Sequence, residues 1–214
     1  MTKFREPLNT WTHMIGFLIF LIGTIFLLVQ ATEHASPWAV FAVLVYGIGM
    51  LGLYLASTLY HGLNGSPDKI RNLKKIDHSM IYIYIAATYT PICVLSLANT
   101  LGYGLLLGVW IVAIIGVIMK IFFLNLPRWL YTSFYLILGW VSLVVVYPLY
   151  FTLHWNGLLL LLLGGLFYTT GAIIYAIKPV KIQWKSWGFH EIFHLFIILG
   201  SLMHYIVIYR FVLN

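Results

Sequence analysis

Charge is missing from this chain over stretches that a water-soluble fold does not tolerate. No Asp, Glu, Lys or Arg occurs from Pro7 to Thr32 or from His78 to Met119. A helix of about 20 apolar residues crosses the hydrocarbon core of a bilayer, so the first run admits one span and the second admits two. Composition points the same way. Of 214 residues, 62% are hydrophobic and 8% charged, with a mean hydropathy of +0.97, against about 25% charged in soluble domains. The sequence predicts an all-α, polytopic membrane protein in which seven spans would take about 140 residues and leave no sizeable soluble domain.

Turn chemistry and charge clumps delimit the spans at approximately 12–30, 38–60, 78–98, 102–120, 129–151, 157–177 and 188–212. Breaks are expected at Gly62-Leu63-Asn64-Gly65-Ser66-Pro67, Asn99-Thr100-Leu101-Gly102, Asn125-Leu126-Pro127-Arg128 and His154-Trp155-Asn156-Gly157, all rich in residues that punctuate helices. No small-residue cleavage site follows the first run, which is therefore expected to be retained as a span. Pro91 is expected to kink the third span, and Gly164, Gly165 and Gly171 to let helices pack closely. With no repeat, low-complexity tract or linker, residues 1–214 are expected to form one bundle.

Orientation follows from the basic residues, which are retained on the cytoplasmic side of spans. Eleven of the twelve fall on one side: Lys3, Arg5, Lys69, Arg71, Lys74, Lys75, Lys120, Arg128, Lys178, Lys181 and Lys185. Arg210 alone lies on the other. The amino terminus is predicted to be cytoplasmic and the carboxyl terminus extracellular. The +7 balance is thereby explained without nucleic acid as a partner. Trp38, Tyr103, Trp129, Trp155 and Trp187 suit the membrane interfaces.

Ionisable groups at membrane depth are costly and usually functional. On this topology His13 begins the first span, His61 ends the second, Asp77 and His78 begin the third, and His190, Glu191 and His194 begin the seventh. All lie at cytoplasmic ends, while the outer side receives only Glu33, His34, His154 and Arg210. His190 and His194 are four apart, so they share a helical face and have the spacing of two ligands to one metal. A single cysteine excludes both a disulfide framework and a cysteine-based zinc site. His61 is the best third ligand, with Ser57 one turn earlier on its face. Asp77, at matched depth, is a candidate to bind the metal, hydrogen-bond its water or orient a histidine. His13, His78 and His204 are more simply interhelical hydrogen-bonding residues.

His190-Glu191-Ile192-Phe193-His194 also matches the metalloprotease pattern H-E-x-x-H. Glu191 is the last acidic residue, so no carboxylate ligand follows it, and the sequence places it first in a supporting position. An intramembrane protease is the lesser reading.

Several separated blocks resemble the hemolysin III branch of the progestin and adiponectin receptor family. They are Glu6-Pro7-Leu8-Asn9-Thr10-Trp11-Thr12-His13, Ser57-Thr58-Leu59-Tyr60-His61, Asp77-His78, Gly164-Gly165-Leu166-Phe167-Tyr168-Thr169 and Trp187-Gly188-Phe189-His190-Glu191-Ile192-Phe193-His194. The resemblance runs in order over essentially the whole chain. It implies seven helices, a cytoplasmic amino terminus and zinc held by three histidines, here His61, His190 and His194. It also implies an aspartate near the bound water, here Asp77. Receptor relatives carry long cytoplasmic extensions, whereas about ten residues precede the first span here, so a hormone-receptor role is not expected. The family is similar to alkaline ceramidases, which hydrolyse lipid amides.

The resulting expectation is a bacterial-type, multi-pass plasma-membrane zinc protein that hydrolyses an amide or ester of a membrane lipid. Asp77 would take a proton from water and Ser57 would support the oxyanion or the water. Glu6, Asn9 and His13 would supply hydrogen bonds behind the ligands. The alternatives are a pore-forming cytolysin, which seven spans disfavour because no soluble state is available, and a sensor with structural zinc.

Overall fold

The computed structural model describes residues 4–123, 126–178 and 187–214. Lys3, Asn125, Lys181 and Lys185 lie outside the described residues. Helices account for nearly all of the remainder: α1 (Pro7–Glu33), α2 (Ala39–Gly62), α3 (Pro67–Pro91), α4 (Thr100–Phe122), α5 (Arg128–Trp140), α6 (Val146–Ile177) and α7 (Phe189–Val207). Their starts have local causes. Pro7 and Pro67 occupy first helical positions, where a missing N–H costs nothing. Ser66 and Asn99 cap α3 and α4 by accepting from the N–H groups of Lys69 and Gly102. Past Pro91 the backbone continues in a π-helical turn, Ile92–Ser96.

Six stretches among the described residues are long and apolar enough to cross a membrane: Pro7–Glu33, Ala39–Gly62, Pro67–Ser96, Thr100–Phe122, Arg128–Ile177 and Phe189–Val212. The protein is thus an all-α, multi-pass membrane protein. Where the sequence predicts separate spans over 129–151 and 157–177, the structure has one stretch of 50 residues. Helical turns continue through it because a 3₁₀ segment, Val141–Val145, bridges α5 and α6, and only His154 inside α6 leaves helical geometry, at φ 54° and ψ 179°. The break therefore falls in the predicted His154–Gly157 turn.

The outer faces are apolar and the polar residues point inward. On α1, Ile15, Ile19, Ile22 and Phe26 are more than half exposed. The opposite stripe, Asn9, His13, Gly16, Phe20, Thr24, Leu27 and Ala31, is buried. Helix α1 packs on α2, α2 on α3, α3 on α4 and α6 on α7, and α1 also meets α7. The close approach of α6 and α7 depends on glycine. A Cβ at Gly164 would collide with the His204 ring, and one at Gly171 would stand 2.8 Å from Cβ of Phe196. Gly165 makes no comparable approach, its nearest neighbour being Trp140 at 3.6 Å.

These pairings bring the start of α1, the end of α2 and the start of α7 together with Asp77 of α3, which lies about three turns past the start of that helix at Pro67 and not at its beginning as the sequence predicts. Backbone bonds pin the segment before α1 there: the N–H of Glu6 donates to the His61 carbonyl at 3.0 Å, and that of Arg5 to Gly62 at 3.4 Å. Polar residues from four helices are thereby gathered in one region.

Candidate metal centre

His61, from the last turn of α2, faces His190 and His194, from the first turns of α7. One nitrogen from each lies within 4.8 Å of the other two. The three rings form a nearly regular triangle, with centroid separations of 4.9 Å (His61–His190), 5.1 Å (His61–His194) and 4.8 Å (His190–His194). His61 and His194 are 2% and 1% exposed. Two buried imidazoles and a partly buried third, with one nitrogen of each converging on a common point, form a set that could hold a metal ion.

Hydrogen bonds behind the rings fix which nitrogen faces inward. Nδ1 of His61 lies 2.6 Å from a carboxylate oxygen of Glu6, so it carries the proton and leaves the Nε2 lone pair free. Nε2 points at Nε2 of His190, 3.3 Å away. Two imidazole nitrogens on one tetrahedral zinc, each roughly 2.05 Å from it, would stand roughly 3.3 Å apart. On His194 the equivalent role falls to Thr12, whose hydroxyl lies 3.1 Å from Nδ1. That hydroxyl donates to the Asn9 carbonyl at 3.0 Å, so it accepts from Nδ1–H and turns Nε2 inward. Carboxylate and hydroxyl partners of this kind orient metal-binding histidines and raise their basicity.

Glu6 precedes α1. The hydrogen bond to His61 holds its carboxyl well below the ordinary value, at about 2, against the opposing effect of burial, with further help from Asn9 and Arg5. Asn9 donates to the same carboxylate oxygen at 3.1 Å, and Arg5 stands 3.3 Å from the other. Glu6 and Asn9 thus lie behind His61. His13, 3% exposed, instead stacks flat against His194, with centroids 3.6 Å apart, and neither of its ring nitrogens has a hydrogen-bond partner among the described residues.

Asp77, on α3, is 9% exposed. It is not one of the three clustered donors; its carboxyl meets the Ser57 hydroxyl and the field of His61, beside the triad. His78 faces away, with Nδ1 3.2 Å from Nζ of Lys120 and Nε2 4.0 Å from Asp77. His204 bonds within its own helix, to the Gly200 carbonyl at 2.9 Å. The Glu191 carboxylate accepts the backbone N–H of Gly188 at 2.9 Å and so serves the start of α7. Sequence spacing did not single out Thr12, because its partner is on another helix and its role depends on how α1 is rotated against α7.

Two cavities meet at the triad. An apolar one of about 580 Å³ runs between the helices and includes Ser57, Asp77, His190, His194 and His204 in its wall. A second, of about 750 Å³, opens among Glu6, Asn9, Tyr60, His61, Lys74 and Arg128. His190 lines both.

Residues 1–205 match the family model described as Haemolysin-III related. The chain is 40% identical over 197 residues to a Bacillus subtilis protein named Hemolysin-3 homolog, covering 92% of this chain and 89% of that one. It is 39% identical to Hemolysin-3 of Bacillus cereus, covering 100% of this chain and 95% of the relative. The human Monocyte to macrophage differentiation factor is 26% identical, with 98% and 85% covered. Sequence blocks, fold and relatives agree: the chain belongs to the Haemolysin-III related family.

Proposed function

We propose that this membrane protein is a zinc-dependent hydrolase of an amide or ester of a membrane lipid, acting in lipid homeostasis. The observation that carries the reading is the position of the three clustered histidines between an apolar cavity and a polar mouth. An amphiphile with its tail in the first and its head in the second would present its linking carbonyl to the triad.

His61 and His194 would hold zinc through the nitrogens that Glu6 and Thr12 leave free, and His190 through the Nε2 that faces His61. Bound there, zinc supplies a water with a pKa lowered towards about 7 and a Lewis acid for the carbonyl. Asp77 would take the water's proton at its carboxylate, which the Ser57 hydroxyl holds; once protonated, Asp77 can donate to the Ser57 oxygen and free the single Ser57 proton for the developing oxyanion. Asn9 keeps Glu6 on His61. His13 packs against His194 and fixes its ring plane.

The same reading takes residues 1–214 as one bundle of seven spans in the plasma membrane, with the amino terminus cytoplasmic. A straight helix of 50 residues would be about 75 Å long, against a hydrocarbon core of about 30 Å. The break at His154 is accordingly read as the point where the chain turns back.

Zinc analysis of the purified protein beside a His190→Ala/His194→Ala variant, with lipid profiles of cells expressing each, tests the proposal. About one zinc per chain, lost in the variant, and one lipid amide or ester depleted only by the wild type are expected. Zinc without a lipid change would favour a sensor with structural zinc, and absence of metal from both would remove the hydrolase. The name Hemolysin-3, borne by a relative, favours cytolysis as the second reading; it predicts leakage of dye-loaded vesicles that persists in the double-histidine variant.

A further inference from the structure

The acidic residues of this chain can be accounted for one by one. There are five in all. Glu6 is held by His61 and Arg5, Asp68 by Arg71, and Glu191 by the Gly188 N–H. Glu33 is exposed at the far end of α1, and Asp77 faces Ser57 and His78. Asp77 is the one carboxylate whose field reaches Lys74 and Lys120, and it leaves an excess of positive charge on Lys74, Lys120 and Arg128, which lie close enough to repel one another and all line the apolar cavity.

These are not ordinary surface charges. Lys120 is 2% exposed, and among the described residues its ammonium reaches Nδ1 of His78 and the face of Tyr131, 3.0 Å from the ring centroid. Burying an ammonium without an opposite charge is expensive. Arg128 lies over the Tyr175 ring at 5.0 Å, which holds its planar fork beside the mouth, the geometry that grips phosphate or carboxylate with two hydrogen bonds. Basic pockets between spans on the cytoplasmic side are the usual receptors for anionic lipid headgroups.

We propose that Lys74, Lys120 and Arg128 form a binding site for the anionic headgroup of an amphiphile whose tail lies in the apolar cavity. This rests on the reading of that cavity as a lipid site and narrows the substrate class to lipids carrying an oxyanion. A headgroup there balances the positive charge that Asp77 alone leaves in excess, and the cavity wall it shares with His190 places the linking carbonyl beside the triad.

The test is equilibrium binding to the zinc-loaded protein in phosphatidylcholine nanodiscs, using labelled hexadecyl phosphate, with hexadecylphosphocholine and inorganic phosphate as competitors. Hexadecyl phosphate has no acyl carbonyl, so binding is independent of hydrolysis. It should bind about tenfold more tightly than its zwitterionic counterpart, and Lys74→Gln or Arg128→Gln should each weaken it about fivefold. Lys69→Gln removes the same charge from an exposed position of α3 that lines neither cavity, and should change affinity less than about twofold. Zinc content unchanged in each variant shows that the fold is intact. Equal binding of the two surfactants, or an equal loss in Lys69→Gln and Arg128→Gln, would overturn the site, whatever becomes of the hydrolase. Displacement by inorganic phosphate at comparable concentration would overturn the lipid assignment and leave a free-anion site.

Discussion

His61 and His194 at one end of the bundle, and His34 and His154 at the other, are the same side chain in opposite circumstances. The first two are buried, face one another across helices and are oriented from behind by Glu6 and Thr12. His34 accepts the N–H of Ser36, two residues on, and His154 is exposed where α6 breaks. The other polar residues of that end are used for tethering, as when Gln30 donates to Asn214 and to the Tyr209 carbonyl. Convergence from separate helices, with a partner behind each ring, is what distinguishes a candidate metal centre from histidines that merely lie at membrane depth.

The largest expected effect is on metal content. His61→Ala should take bound zinc from about one per chain to none, since a site of two histidines falls short of the usual three protein ligands. His34→Ala and His154→Ala should leave it unchanged. Elemental analysis of the three purified variants decides the matter, and equal losses would erase the distinction between the two ends. Next comes Asp77→Asn, which removes a proton acceptor without touching a clustered donor. It should keep its zinc while lipid turnover falls about 10²- to 10⁴-fold. Loss of zinc along with activity would make Asp77 a ligand instead.

Much of this contrast was legible in the sequence. Charge-free runs mark the spans because any ionised group in hydrocarbon is penalised, whatever the fold. The i, i+4 spacing of His190 and His194 fixes one helical face, and span direction puts His61 and Asp77 at the same end. What a single helix's periodicity does not contain is its rotation and tilt against its neighbours. Thr12 meeting His194, Lys120 meeting His78 and Arg128 lying over Tyr175 are all interhelical and depend on those angles. The helical turns of α6 on either side of His154 were hidden for another reason: His154-Trp155-Asn156-Gly157 reads as a loop, but only His154 departs from helical geometry.

The partners behind the rings should give intermediate effects. Glu6→Gln keeps a similar shape but loses the charge that polarises His61, and zinc affinity should fall about 10- to 100-fold, measured by competition with a chelator. Thr12→Val removes a neutral hydrogen bond that contributes about 1 kcal/mol and should weaken zinc less than Glu6→Gln does. The reverse order would mean that His194, not His61, depends more on its orienting partner.

The smallest effect is expected at the residue that the motif alone would rank highest. In a metalloprotease reading of His190-Glu191-Ile192-Phe193-His194, Glu191 is the general base, and replacing it by Gln should cost orders of magnitude in rate. Here its carboxylate oxygen is engaged by the Gly188 N–H at 2.9 Å, at the positive end of the α7 dipole. An amide oxygen can accept that same bond, so Glu191→Gln loses only the charge–dipole contribution of about 0.3–1 kcal/mol. Turnover of the lipid should therefore stay within about threefold of wild type, with zinc retained. A collapse in rate with zinc still bound would move the base from Asp77 to Glu191, and with it the chemistry from the apolar cavity to the mouth, whose wall includes Glu191.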